Sequence, residues 1–382
     1  MLEYSNIISY IFIIGAAQGL LLSVFLFKKR ENTTANKLLG ILMIIFSLDL
    51  LNGAAYLTGI IKHFPWTSGF SNSFPYLYGP MIFLYVKILT EGENKFRNSY
   101  WFHFIPFIIV QVYGLFFFYF EGSEYQLSLL NFKTTPPWHI KLIGNLIPVH
   151  GIIYMVLTVI ESYHYSRKIK QSFSNIDKIN LAWIRHFVAG AVVVWLIVVL
   201  AYLLNFVYGD ELQANVLIYI TLTFLLYSLG YKSLQQPQVS FEVPEINGEK
   251  KSTRYKKSGL DENVANEILN SLDKLFEDEK PYLNSRLSLS ELAEKLNVST
   301  HNLSEVINTK LNKNFYDFIN SYRIKEVINM LNDAKYSNYS LLAIGYEAGF
   351  SSKSAYYSAF KKVTGSTPSQ YKEKTEQENL NK

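Results

Sequence analysis

The sequence predicts an all-α protein in two parts: a seven-helix transmembrane bundle, then a soluble domain of short helices. Three observations lead there. Up to residue 232 the chain holds seven apolar stretches at or near the length that spans a bilayer, about 20 residues. Lys and Arg are nearly absent from these stretches and gather at their ends. Beyond residue 260, apolar residues recur at helical spacing, and a helix–corner–helix pattern occurs twice.

The seven stretches lie near 7–27, 38–58, 74–91, 100–120, 141–163, 187–208 and 212–231. The first does not read as a cleaved signal peptide, because Glu3 and no basic residue precede it while Lys28, Lys29 and Arg30 follow. The third is short, is interrupted by Gly79-Pro80, and carries Lys87, which can snorkel to the inner surface. Alternate loops divide the basic residues unequally. Lys28, Lys29, Arg30, Lys37, Lys95, Arg97, Arg167, Lys168, Lys170, Lys178 and Arg185 fall on one side, against Lys62, Lys133 and Lys141 on the other. The positive-inside rule then puts the N-terminus outside and the C-terminus in the cytoplasm. Trp66, Trp101 and Trp138 near span ends suit interfacial belts. The longest outer loop, about 121–140, is too short for a separate sensory domain. The inner loop, 164–186, is basic and reads as a juxtamembrane helix resting on anionic lipid.

Residues 233–259 are polar, contain Pro237, Pro244 and Gly248, and carry the basic run Lys250, Lys251, Arg254, Lys256 and Lys257; they read as a linker. An amphipathic helix follows over 261–279, with Val264, Ile268, Leu272, Leu275 and Phe276 on one face. That face can pack on the next motif or pair two copies of the chain.

The two motifs run from Leu289 to Asn308 and from Leu341 to Tyr371, the second closed by Pro368 just after Gly365. In the second, a short helix ends at Gly349, whose freedom to adopt positive φ suits a sharp corner. Ser351 or Ser352 can cap the helix after it. That helix sets Tyr356, Ala359, Phe360 and Val363 on an apolar face, and Lys353, Ser354, Tyr357, Ser358 and Lys361 on the other. In the first motif Asn297 takes the corner, being the non-glycine residue best suited to a left-handed conformation. Ser288 with Glu291 suggests a capping box, and Ser299 a second cap. Thr300, His301, Ser304, Glu305 and Asn308 line the outer face, with Leu303, Val306 and Ile307 within. A polar stripe on a short helix held by a partner helix is what reading the major groove requires. Glu305 can accept from a cytosine amino group, or it can pair with a nearby lysine and only tune affinity. Lys313, Arg323, Lys361 and Lys362 read as phosphate or structural contacts, with a buried pair expected for Arg323.

Both motifs and the helix between them resemble the DNA-binding domain of the AraC-type (AraC/XylS) transcription regulators. The resemblance spans roughly 260–374 and rests on LAEKLNVS at 292–299, Arg323-Ile324, AGF at 348–350, Phe360-Lys361-Lys362, and Gly365 with Thr367-Pro368 and Tyr371. Gly345 stands where the family usually has alanine, Asn297 and Asn312 where it usually has glycine, and Lys372 where arginine is common. The resemblance implies promoter DNA as partner, RNA polymerase as a second, and activation more often than repression. Residues 375–382 are a polar tail.

Absences narrow the chemistry. With no cysteine, the chain has no disulfide framework, no Cys-ligated zinc or iron–sulfur site and no thiol catalysis. No phosphate-binding loop, metalloprotease motif, serine-hydrolase elbow or kinase signature occurs, and no cofactor is expected. Within the apolar stretches, Asp49, Asn52 and His150 are the ligand-sensing candidates, since an ionisable group at membrane depth is costly. The plainer alternative is that they hydrogen-bond between helices. The expected protein is thus a membrane-embedded regulator that senses a small-molecule or membrane-derived signal, with homodimerisation open. A transporter or membrane enzyme with a regulatory DNA-binding tail, and a tethered factor released by proteolysis, are the other classes.

Overall fold

The computed structural model describes residues 2–30, 33–91, 95–131, 135–176, 182–208, 216–221, 223–224 and 261–380. The expected linker, most of the seventh stretch and the basic run from Lys250 to Lys257 lie outside the described residues. The chain forms two compact units, one of Met1–Tyr163 with Ala182–Phe241 and one of His164–Leu181 with Glu242–Lys382. Among the described residues the regular structure is helical, with one isolated β-bridge between Phe173 and Ser288.

The first unit contains α1 (Leu2–Lys28), α2 (Thr33–Leu57), α3 (Pro75–Glu91), α4 (Ile105–Gly114), α5 (Gly122–Leu130), the first part of α6 (Trp138–Ser172), and α7 (Ala182–Tyr208). Among the described residues, four segments are long and apolar enough to cross a membrane: Asn6–Lys28, Thr33–Leu57, Asn98–Tyr119 and Trp138–Ser172. A shorter apolar run, Val188–Leu203, lies in α7. Helix α3 is too short for that class but is the most enclosed element. It continues through Gly79-Pro80, and Tyr76 to Val86 are all buried. Buried apolar residues on every side mark a core helix rather than a surface one. Close crossings depend on small residues. A Cβ on Gly79 would lie 2.8 Å from Tyr154, and one on Gly151 only 2.0 Å from the Trp195 ring. Lys87 pairs with Glu91 at 3.4 Å and approaches Glu161 at 3.9 Å. The region read as the longest outer loop contains α5.

The second unit contains the end of α6, then α8 (Glu262–Asp278), α9 (Leu289–Lys295), α10 (Thr300–Thr309), α11 (Phe315–Leu331), α12 (Leu341–Glu347), α13 (Lys353–Thr364) and α14 (Pro368–Leu380). Helix α14 carries the expected polar tail on as helix to Leu380. Two apolar cores lie side by side. In the first, Ile268, Leu272 and Phe276 of α8 meet Leu292, Leu303, Val306 and Ile307. Each such side chain contributes about 1.5–3 kcal/mol on full burial, so α8 does pack on the first motif; Val264, however, is 39% exposed and falls off that face. The second core joins Ile344, Phe350, Tyr356 and Phe360. Helix α11 serves both: Phe315, Phe318 and Ile319 enter the first core, and Ile324, Val327 and Met330 the second. Val363 was expected on the apolar face of α13 but is 49% exposed, one turn beyond the reach of the second core.

Candidate nucleic-acid interface

Both corners close with the same hydrogen bonds. In the first motif Asn297 N–H donates to Glu294 O at 3.0 Å and Val298 N–H to Ala293 O at 3.0 Å. In the second, Gly349 N–H donates to Tyr346 O at 3.0 Å and Phe350 N–H to Gly345 O at 3.1 Å. This is the Schellman pattern, with a left-handed residue just past the helix. Asn297 has φ 55° and Gly349 φ 94°. Asn312, also standing where the resemblance leads one to expect glycine, is left-handed too, with φ 50°. Gly349 cannot carry a side chain for a second reason: its Cβ would lie 2.6 Å from Tyr282 O and 2.8 Å from Leu283 O.

Serine hydroxyls start the helices. Ser288 accepts from Glu291 N–H, Ser299 from Asn302 N–H, Ser340 from Ala343 N–H, and Ser352, rather than Ser351, from Ala355 N–H. Each such cap contributes roughly 1 kcal/mol. The Glu291 carboxylate accepts from Asn284 Nδ2 at 3.3 Å, so the bond found there is not the reciprocal half of the expected capping box.

These corners and caps hold α10 and α13 with their polar faces outward. On α10, His301 and Thr309 are exposed, while Thr300, Ser304, Glu305 and Asn308 are half-buried. Asn308 Nδ2 donates to Ser304 Oγ at 3.2 Å. Glu305 lies 3.6 Å from His301 Nε2, so its neighbour on the stripe is a histidine and not the lysine envisaged from sequence. On α13, Lys353, Ser354, Ser358 and Lys361 are exposed, Tyr357 is half-buried, and Lys353 Nζ sits 5.4 Å from the Tyr357 ring centre. Lys362 faces away from this stripe and pairs with Asp317 of α11 at 2.7 Å. Each helix thus presents one short polar face, with a basic residue at both ends of the α13 stripe and an acid within that of α10.

Residues 292–374 match the family model of a helix-turn-helix domain. The match supports a DNA-binding transcription regulator, with double-stranded DNA as the domain's partner. No curated protein and no solved structure matches the chain.

At the centre of the helix-turn-helix domain is Arg323, the first residue of α11 on the second-core side. It is 1% exposed, and its partner is not a carboxylate as expected for a buried pair. Nε donates to Tyr282 O at 2.7 Å. Nη1 donates to Ser174 O at 3.2 Å and Asn320 Oδ1 at 3.3 Å, and Nη2 to Asn284 O at 2.9 Å and Ser174 Oγ at 3.1 Å. A guanidinium has five N–H donors, and each has an acceptor here. The Phe350 ring covers it at 5.7 Å. Burial draws the pKa of Arg323 down to about 10, which still leaves it charged at neutral pH.

Ser174 was not singled out in the sequence, where it sits in the stretch expected to rest on lipid. Ser174 N–H and Oγ both donate to Leu287 O, at 3.1 and 2.5 Å, and Phe173 bridges to Ser288. The two residues directly after α6 are thereby stitched to the cap of the first helix-turn-helix motif. Nothing in the spacing marks this contact, since Ser174 and Arg323 are 149 positions apart.

In the first unit the three sensing candidates do not form one site. Asp49 is 4% exposed and lines a cavity of about 200 Å³. Tyr78 Oη donates to its Oδ2 and Tyr219 Oη to its Oδ1, the latter at 3.3 Å. Asn52 turns to Ser71 Oγ at 2.9 Å. His150 lies apart, between the rings of Tyr76 and Tyr154. Both of its ring nitrogens are buried without a hydrogen-bond partner among the described residues. Tyr78 and Tyr219 escaped notice in the sequence because they lie 29 and 170 positions from Asp49.

Proposed function

We propose that this protein is a transcription regulator embedded in the bacterial inner membrane through its N-terminal unit, with the N-terminus outside and the helix-turn-helix domain in the cytoplasm. The observation that carries the DNA-binding half is the pair of capped, Schellman-closed motifs within the matched region. The membrane half is supported by what the first unit exposes. On and around α4, Ile105, Ile108, Ile109, Val112, Leu115 and Phe116 are 42–61% exposed. A soluble protein rarely leaves a contiguous apolar surface of that kind, and lipid is the solvent that suits it. Trp66, Trp101 and Trp138 are 57–75% exposed at the positions expected of interfacial anchors.

In this reading the bundle crosses seven times, and a signal received around Asp49 alters how the domain meets promoter DNA. Thr300, His301, Ser304, Glu305 and Asn308 of α10 and Lys353, Ser354, Tyr357, Ser358 and Lys361 of α13 meet successive faces of the major groove. RNA polymerase and a second copy of the chain are the further protein partners. The signal has two covalent routes to the domain, the linker after residue 232 and helix α6. Because Ser174 is bonded to Arg323, movement of α6 would be felt within the helix-turn-helix core.

The test is genome-wide DNA occupancy of tagged full-length protein in its native cell, with membrane fractionation in parallel. Discrete promoter peaks with all the protein in the membrane are expected. Peaks carried by a soluble C-terminal fragment would replace this reading with release by proteolysis. An absence of peaks under every growth condition would overturn it in favour of transport or enzymatic activity in the bundle.

A further inference from the structure

The cavity beside Asp49 has a composition that selects among ligands. Besides Asp49 it is lined at one end by Ser71 and Asn72, and by the aromatic rings of Phe46, Tyr78, Trp195, Tyr202 and Tyr219. The remaining wall is hydrocarbon, with Ile82, Ile147, Val194 and Val198. Among the described residues, none that lines the cavity is Lys, Arg or His. Both carboxylate oxygens accept from tyrosine hydroxyls, so the carboxyl group is fixed in place against the cavity. Charge on a buried carboxylate is tolerated only with a partner, and with no cation among the described lining residues that partner is a cation entering the cavity.

We propose that this cavity binds a small organic ammonium ion, its nitrogen against Asp49 and its hydrocarbon part along Ile82, Ile147 and Val198. Aromatic faces attract alkylammonium ions through their quadrupole, most strongly where water is excluded. Ser71 Oγ, which accepts from Asn52 Nδ2, keeps a second lone pair for a further N–H group. A cavity of about 150 Å³ can admit benzene, so one of about 200 Å³ has room for a small organic ion. A divalent metal suits the site poorly. Calcium takes six to eight oxygen ligands, and among the described residues no three His, Cys, Asp or Glu side chains are grouped to hold a metal. The pocket is also too apolar for an anion, which would meet Asp49 directly.

This site is the sensing element of the function proposed above, and its test is kept separate from DNA occupancy. Full-length protein in lipid nanodiscs is titrated with butylammonium, phenethylammonium and tetramethylammonium chlorides, with 1-butanol, sodium butyrate and sodium chloride as controls. Thermal stability and tryptophan fluorescence report binding. At least one ammonium ion is expected to raise the melting temperature and perturb the fluorescence saturably, with the controls inert at equal concentration. Asp49→Asn, which keeps shape and removes charge, is expected to weaken that binding at least tenfold. Trp195→Phe, which retains an aromatic face, is expected to keep the binding and lose most of the fluorescence response. Equal response to 1-butanol, equal response to sodium chloride, unchanged affinity in Asp49→Asn, or no response to any ammonium ion would each overturn the proposal. Promoter occupancy without ammonium binding would sink this site alone, whereas ammonium binding without occupancy would sink the regulator reading and leave the site standing.

Discussion

Arg323→Met tests whether the helix-turn-helix domain is held together by one buried cation. Methionine keeps much of the volume and the unbranched stem, so the loss is chiefly polar. Arg323 donates five hydrogen bonds, four of them to the segments at Ser174, Tyr282 and Asn284. A hydrogen bond from a charged group contributes about 1.5–3 kcal/mol, giving a gross loss on the order of 7–15 kcal/mol. Against that, the variant no longer strips water from a guanidinium, which costs several kcal/mol. The carbonyls of Tyr282, Asn284 and Ser174 are left without their donor, at about 1–3 kcal/mol apiece where no water replaces it. Removal of one partner from a buried charged network typically costs about 3–5 kcal/mol, and that is the expected loss. Native-state hydrogen exchange of the full-length protein measures it as the opening free energy of the α11 amides. Arg323→Lys is expected to fall nearly as far, because one ammonium cannot reach acceptors spread around a planar fork. Ser174→Ala removes two of the side-chain bonds and spares the backbone ones, so a smaller drop of about 1–3 kcal/mol is expected. A change below about 1 kcal/mol in Arg323→Met would refute the reasoning. A silent Ser174→Ala beside a damaging Arg323→Met would confine the network to the domain and remove α6 as a route for the signal.

Three further outcomes follow from the same unit. Tyr356 is fully buried, and its hydroxyl has no hydrogen-bond partner among the described residues; Tyr356→Phe is therefore expected to leave stability unchanged or raise it by about 1 kcal/mol in the same exchange measurement, and a clear loss would show that the hydroxyl is bonded. Gly345→Ala places a Cβ 2.7 Å from the Tyr356 ring; it should destabilise by about 1–3 kcal/mol through overpacking, with substantial recovery in the double variant Gly345→Ala/Tyr356→Leu. On a promoter fragment identified by occupancy, Lys353→Ala and Lys361→Ala should each flatten the salt dependence of binding by about one unit of slope. Lys362→Ala should do so less, because that ammonium is already engaged by Asp317 at 2.7 Å; equal slopes for all three would refute the assignment of faces.

The helix-turn-helix domain was largely legible in the sequence because its signals are local. A serine before a helix, a left-handed residue four positions past a small one, and apolar residues at helical spacing act within a dozen positions. Ser288, Ser299, Ser352, Asn297 and Gly349 all behave as that spacing implies. Even Gly345, a departure from the family pattern, has a local partner: it makes room for the Tyr356 ring eleven residues on. Val363 was misplaced because periodicity gives a direction around a helix and not the distance over which the core extends.

What the sequence determined by itself, then, is composition and period: where apolar length suffices for lipid, where the charge sits, and where short helices turn. Tertiary structure alone decided the polar contacts that join distant segments. Arg323 was legible as a buried basic residue, but three of its acceptors are backbone carbonyls, which every residue possesses and no sequence pattern reveals. Asp49 announced itself as a charge within an apolar run, but the tyrosines and the tryptophan that turn it into a cavity wall come from other helices. The physical reason is common to both. A buried charge is tolerated only where several groups converge on it, and convergence is a property of the packed chain.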